Sequence, residues 1–558
     1  MTRRVMILTF MLAMMLLANS KNMPKSQYQS PVNYTISLAG NFGEPRPNHF
    51  HGGTDIKTDR VEGKPIFSIG DGYISHVTIG IGGFGNAVYV HHPQGHTSIY
   101  AHLQRFIPQV TALVRKWQYE HHCVEGEIRF RPTDFPVAKG QLLAFSGNTG
   151  ASQAPHLHLE IHDNKTYNML DPLGFIGDNI VDHVSPIAHA MMAYPQENQG
   201  VFNGSDEAQY FNFTADNISQ ELTAWGKVGF GLWANDYMEE STNNFGIRKT
   251  ELYVDGHLLF QSDVNDIPVS DNLQVNAWGD YDHYSKSHVW YMRSFLLPGI
   301  TLPICSADEN RGIIDFKEER PYRFTYILSD FKGNKSEYSF TVIGKKTPIY
   351  RTKLAHPLHT LVWNRLNNYQ LPGLQLQVPS RYLVENVVLT PCVSTKVNAF
   401  SSSYQLSEKS IALLKHCKLS LQVKKEVKDP SKLYIISHSK TDKYVGGEYK
   451  DGWVTAKILD LNAEYELAYD VNAPKIEYEG QNGDVIRFNL TDEESGIKHF
   501  EGSIDGRFVL FEKVGRSSFI ACKLKGTHVK KIGKKHNLEL TVTDHRNNQS
   551  NYKTQIIY

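Results

Sequence analysis

The stretch His156-Leu157-His158-Leu159-Glu160-Ile161 decides how this chain is read. In a strand, positions i and i+2 face the same side, so both imidazoles project together while Leu157 and Leu159 face the other way. Two same-side histidines in an otherwise apolar strand are costly to bury unless something uses them. A second segment, His51-Gly52-Gly53-Thr54-Asp55, carries two glycines in its middle. They argue against a helix and place the histidine and the carboxylate on a loop entering a strand. An imidazole and a carboxylate so placed can reach one divalent ion, as nitrogen and oxygen ligands suited to zinc. A third segment, Tyr100-Ala101-His102-Leu103, closes a run that begins at Thr97.

Around these segments, residues 34–161 are rich in glycine and in short β-prone runs such as Asn86-Ala87-Val88-Tyr89-Val90. Turn signals at Gly70-Asp71-Gly72 and Pro93-Gln94-Gly95 separate the runs, the texture of antiparallel β structure. One interruption differs. Val110, Leu113, Val114 and Trp117 recur at helical spacing and predict a short amphipathic helix over 110–120. His49, His91, His92, His96, His121 and His122 are expected to be exposed turn or helix residues.

Beyond about residue 185, alternating polar and apolar stretches are bounded by Asp/Asn/Gly turns, and a pattern recurs. Gly246-Ile247 precedes Asp255-Gly256 by nine residues, and Gly496-Ile497 precedes Asp505-Gly506 by the same nine. Each copy has an acidic residue upstream (Asp236, Asp492) and a later strand ending in an Asp-led turn, at Asp330 and at Asp544. Two copies of one sandwich-like module are expected. These segments resemble the immunoglobulin-like modules appended to bacterial surface and periplasmic enzymes. Residues 346–470 are β-rich without a repeat.

The chain has 558 residues, too many for one core, so several domains are expected. With 29 Tyr, 27 Phe and few helix-periodic stretches, it leans toward β structure. Basic and acidic residues balance at 58 each, which calls for neither nucleic acid nor an anionic membrane as partner. Arg3 and Arg4, the apolar run over 5–18 and the small residues Ala18-Asn19-Ser20 have the form of a secretory signal. That run would make about 21 Å of helix, short of the roughly 30 Å hydrocarbon core, so cleavage is expected rather than an anchor. The mature protein is then expected to be exported, periplasmic or envelope-associated, with no membrane span. Five scattered cysteines form neither a disulfide scaffold nor a CxxC pattern. They are read as buried thiols, with a Cys392–Cys417 pair as the lesser alternative.

The histidine segments and their neighbours resemble LytM/lysostaphin-type zinc peptidases. Asn41-Phe42-Gly43-Glu44 and Asn48-His49-Phe50-His51-Gly52-Gly53-Thr54-Asp55 are similar to the opening motif. Gly72, Gly83-Phe84-Gly85-Asn86, Thr97-Ser98-Ile99-Tyr100-Ala101-His102-Leu103 and Gly140-Gln141 follow. Ser146-Gly147-Asn148-Thr149-Gly150, leading into Pro155-His156-Leu157-His158, completes the series. The resemblance implies a zinc ion held by His51, Asp55 and His158, with His102 and His156 catalytic and not ligating, and peptidoglycan peptides as substrate. Three protein ligands leave a fourth position for water, as hydrolytic zinc requires. One imidazole can then move the proton while the other stabilises the oxyanion, and the sequence does not say which does which.

The connection between His102 and Gly140 is longer than in compact members and is expected to wall the substrate groove. The whole chain is therefore expected to be mainly β: a signal peptide (1–20), an antiparallel zinc peptidase domain (21–185), a β-sandwich (186–345), a β-rich domain (346–470) and a second sandwich (471–558). The C-terminal modules are expected to meet the wall or a protein partner. The rival expectation is a non-catalytic wall-binding or regulatory protein of the same fold.

Overall fold

The computed structural model describes residues 27–239, 241–349 and 359–558; the signal-like segment lies outside them. Strands dominate from end to end, so the chain is mainly β. Among the described residues, no helix is long and apolar enough to cross a membrane.

The N-terminal sheet is built from β1 (Leu38–Gly40), β2 (Thr54–Lys57), β3 (Gly72–Ile79), β4 (Ala87–His91), β5 (His96–Ala101), β6 (Gly126–Arg129) and β7 (His156–Asp163). They lie in the spatial order β1-β2-β7-β5-β4-β3-β6, each antiparallel to its neighbours. The strand carrying the paired histidines is thus interior, with its backbone bonded on both sides. Its alternation sorts the side chains. Leu157, Leu159 and Ile161 are fully buried in a core shared with Val88, Val90 and Tyr100. Each such aliphatic side chain contributes about 1.5–3 kcal/mol on burial. His156, His158 and Glu160 therefore occupy the opposite face. Register then sets the site, because His158 stands opposite Asp55 on β2 and opposite Ala101 on β5.

The predicted helix forms as α1 (Pro108–His121), between β5 and β6, with proline in its first turn and His122 left-handed at its end. Its inner face is Val110, Val114 and Gln118, whereas Leu113 is exposed. The insertion does not wall the groove, contrary to expectation. The helix instead meets the C-terminal end of the chain: Arg115 pairs with Glu512 at 3.3 Å and the His122 ring stacks on Phe508 with centroids 4.8 Å apart. His121 and His122 are exposed as expected, but His92 and His96 are buried. The His92 Nδ1–H donates to the Asp71 carbonyl at 2.8 Å, and His96 Nδ1 pairs with the Tyr28 hydroxyl at 3.1 Å. Residues near Tyr28 fold back over that hairpin and cover both rings.

Downstream, β8 (Ile187–Phe202) and β9 (Leu222–Met238) pair antiparallel in an 11-stranded sheet that also contains β10 (Pro321–Ser329) and β11 (Lys335–Gly344). From 359 onward, two five-stranded sheets enclose a core that includes Leu376, Leu419 and Ile435; β12 (Glu464–Tyr469) belongs to one of them. The last region comprises two four-stranded sheets containing β13 (Lys475–Asn482), β14 (Val485–Thr491), β15 (Lys535–Asp544) and β16 (Gln549–Ile557). Phe488, Ile504 and Leu540 fill the core between them. Both Asp-Gly pairs sit in hairpin turns, with φ of 51° and 80° at Asp255 and Gly256 and 50° and 72° at Asp505 and Gly506. Left-handed backbone at both central residues is what a tight two-residue hairpin demands.

The five cysteines are free thiols. Cys392 is exposed and not buried, because its short strand Cys392–Ser394 shows all three residues to solvent.

Candidate metal centre

Three side chains from two adjacent strands and the loop before them converge. His51 Nε2 lies 3.1 Å from Asp55 Oδ1 and 3.1 Å from His158 Nδ1, and His158 Nδ1 lies 2.8 Å from Asp55 Oδ1. All three residues are buried. The other nitrogen of each ring is committed. His51 Nδ1 faces the Asn41 carbonyl at 2.6 Å, which only accepts, so that nitrogen carries the proton. His158 Nε2 lies 2.9 Å from the Glu160 carboxylate and donates to it in the same way. Hydrogen bonds thereby assign the tautomers and turn two imidazole lone pairs and a carboxylate oxygen toward one point. Three acceptors so close repel one another unless a proton or a cation lies between them. The donor set, two nitrogens and one oxygen, fits a zinc-type ion.

The electrostatics describe the same competition. Burial disfavours the charged form of His158, but hydrogen bonds to Asp55 and Glu160 outweigh it and raise the ring to about 9. Burial likewise works against ionised Asp55, yet the adjoining His51 ring and bonds from His156 and His158 hold it well below the usual carboxylate range. The second Asp55 oxygen pairs with the Arg46 guanidinium at 3.1 Å.

Glu160 was not singled out from sequence, although it sits at i+2 from His158 on the same strand face. It also takes a bond from His162 at 2.6 Å. Burial pushes its carboxyl up, but bonds from His158 and His162 bring it down to about 2, so it is ionised and holds the His158 ring. Glu160→Gln keeps the shape and removes the charge. We expect zinc affinity to fall about 10–100-fold, the usual cost of losing a ligand's outer partner, measured by competition with a chromogenic chelator. An unchanged affinity would show that His158 is oriented without it.

The glycines of the His51 segment matter for close approach more than for helix avoidance. A Cβ on Gly53 would come within 2.3 Å of the Leu159 carbonyl, and one on Gly52 within 2.6 Å of Glu160 Oε1. The loop can therefore carry His51 to β7 only without side chains there.

His102 and His156 stand beside the group. His102 follows β5 in the left-handed region (φ 60°), and its ring centroid is 4.8 Å from that of His156 and 5.6 Å from that of His158. Its Nδ1 donates to the Thr149 carbonyl at 2.9 Å, which leaves Nε2 as an acceptor. Burial, then the neighbouring His158 and His156, bring His102 down to about 3, so it is neutral. His156 Nδ1 donates to the Ala154 carbonyl at 2.8 Å, and its Nε2 lies 3.3 Å from Asp55 Oδ1.

All five residues line one groove of about 1190 Å³. Its far wall comes from the next region of the chain, through Thr242, Asn243 and Asn272. That wall is tied down. Ser241 Oγ donates to the Leu38 carbonyl at 3.0 Å, and Asn243 Nδ2 donates to the Ala39 carbonyl at 3.1 Å.

The N-terminal antiparallel sheet thus carries a buried His–Asp–His group, fit to hold a metal ion, at its groove. Residues 49–118 match Peptidase family M23. Residues 358–470 match the Zu5-like domain family, a description the sequence reading did not supply. Over 122 residues the chain is 32% identical to an uncharacterized metalloprotease of Haemophilus influenzae, covering 22% of this chain and 20% of that protein. Over 111 residues it is 32% identical to the DD-carboxypeptidase/endopeptidase Mpg of Neisseria meningitidis serogroup B, covering 20% of each. The chain thus spans about a fifth of the length of these curated relatives. The catalytic domain of lysostaphin from Staphylococcus simulans is 23% identical, with a TM-score of 0.18, covering 25% of this chain and 91% of that one.

Proposed function

We propose that the N-terminal domain is a zinc metalloendopeptidase that hydrolyses peptide bonds of bacterial peptidoglycan, carried by an exported protein whose C-terminal sandwiches position it on the wall or on a protein partner. The observation that carries this reading is the convergence of His51 Nε2, Asp55 Oδ1 and His158 Nδ1, all within 3.1 Å of one another, with the remaining ring nitrogens already committed. These three residues would hold the ion. When bound, zinc supplies Lewis acidity toward a water and toward the scissile carbonyl.

The chain's own groups supply the rest. Neutral His102, with its proton fixed on Nδ1, offers Nε2 as general base and then returns the proton to the leaving amine. His156 is held through Nδ1 by the Ala154 carbonyl, and its Nε2 stands 3.3 Å from Asp55 Oδ1, beside the converging atoms. It is the group suited to donate to a developing oxyanion. The groove wall formed by Thr242, Asn243 and Asn272 gives the appended region a part in choosing the peptide.

The test uses the full-length mature protein: metal analysis for about one zinc per chain, as a single three-ligand site takes, and mass spectrometry of fragments released from defined peptidoglycan. Stem or cross-bridge cleavage supports the reading. A zinc-free, inert protein that still binds the wall would assign the domain to the non-catalytic class.

A further inference from the structure

Two other groups of acidic side chains are drawn together outside the peptidase groove. Asp182, Asp236 and Asp330 form one, and Asp470, Asp492 and Asp544 form the other, each with ligand-type oxygens within 4.8 Å of one another. Asp236 and Asp330, like Asp492 and Asp544, belong to the recurring sequence pattern; Asp182 and Asp470 join them from upstream segments, and the two groups are built alike. Asp182 accepts from Val184 N at 3.0 Å, and Asp470 from Asn472 N at 3.0 Å. Asn334 Nδ2 bridges Asp330 and the Asp182 carbonyl, as Asn548 Nδ2 bridges Asp544 and the Asp470 carbonyl. Ser336 donates to the Pro186 carbonyl, as Ser550 does to that of Pro474.

A second observation concerns oxygens left over. Asp182, Asp236 and Asp470 are 4%, 3% and 0% exposed. One carboxylate oxygen of each, Oδ2 of Asp182, Oδ1 of Asp236 and Oδ2 of Asp470, is buried without any hydrogen-bond partner. Backbone and asparagine bonds hold Asp182 Oδ1, Asp470 Oδ1 and both oxygens of Asp330 and Asp544, and leave the orphaned oxygens to the neighbouring carboxylates. Orphaned buried carboxylate oxygens are expensive, and both stretches of sequence repeat the same expense. We propose that each group is a calcium site, and that the two ions clamp the strands of each module to the segment that leads into it. Calcium suits the donors, which are all oxygen, carry up to three charges per site and are too buried to leave the ion the several waters magnesium retains.

The placement gives the sites their effect. Asp182 lies between the peptidase sheet and β8, and Asp470 between β12 and β13, while their partners lie on or directly after strands of the module that follows. Each ion would therefore join an entering segment to a folded body. In the absence of an ion, burial and the neighbouring Asp330 and Asp182 carboxylates push Asp236 up to about 8. A cation takes over the role of that proton.

The experiment is calorimetric titration of the full-length chain, stripped on chelating resin and given one equivalent of zinc, with calcium chloride and in a parallel arm with magnesium chloride. About two calcium ions per chain should bind, at sub-millimolar or tighter affinity. At roughly 100-fold excess of free calcium over Kd, Tm should rise by roughly 5–10 °C. Asp236→Asn and Asp492→Asn should each reduce the count from two to one. Asp236→Asn should also leave Tm in chelator unchanged or higher, since it removes a repelled carboxyl; a merely structural carboxyl would lose Tm there. Absence of calcium binding in the wild-type chain, tighter binding of magnesium, or an unchanged count in either variant would each overturn the proposal. Because the count is read on the wild-type chain first, a variant that fails to fold does not shield it.

Discussion

His158→Ala is expected to abolish zinc binding and, with it, peptidoglycan cleavage. The ring supplies one of three converging acceptor atoms, 2.8 Å from Asp55 Oδ1 and 3.1 Å from His51 Nε2. Removing an outer partner of a ligand costs about 10–100-fold in metal affinity, and removing the ligand atom itself costs more. A second consequence follows from burial. Glu160, brought down to about 2 by two histidines, would keep only His162. Some loss of stability should therefore accompany the loss of metal, and circular dichroism of the variant separates the two. Zinc content by metal analysis and fragment release from peptidoglycan are the readouts. A folded variant with full zinc and full activity would remove His158 from the centre.

His102→Ala should do the reverse: zinc remains at about one per chain, as for any intact three-ligand site, while turnover falls about 10²–10⁴-fold, the range for a lost general base. His102 makes no bond to the three converging atoms; its Nδ1 is held by the Thr149 carbonyl. Backbone conformation complicates the alanine variant. His102 has φ 60°, a left-handed geometry costing an ordinary side chain roughly 1–2 kcal/mol. Asparagine tolerates that region better, so His102→Asn removes the base with less strain. Equal losses in both variants, with KM little changed, would identify the imidazole as the cause. Recovery of activity in the asparagine variant would mean that His102 serves only the turn.

Part of this centre was legible before any fold. The His-x-His pair lies on one strand face because side chains alternate with period two, and that local rule holds wherever the strand goes. The same rule put Glu160 on that face, but its use as the holder of His158 depends on both groups being buried together. The helix after His102 was legible from its spacing, and its destination was not. Nothing local says that Arg115 meets Glu512 across almost 400 residues of chain. The burial of His92 and His96 was missed for a similar reason, since the cover near Tyr28 comes from a distant segment.

The sequence by itself made the mainly β class, the resemblance of the N-terminal region to M23 peptidases and the recurring Asp-Gly turn pattern legible. These follow from periodicity, turn residues and motif order, all of which act within a few residues. Tertiary structure alone decided which atoms meet. Pairing β7 with β2 brings His158 opposite Asp55, and docking of the next region supplies Thr242, Asn243 and Asn272 as the groove wall in place of the insertion. It also gathered the two aspartate groups from positions as far apart as Asp182 and Asp330. The physical reason is the range of the forces involved. Strand and turn preferences are settled between near neighbours, whereas ligand convergence and burial depend on register and packing across the whole fold.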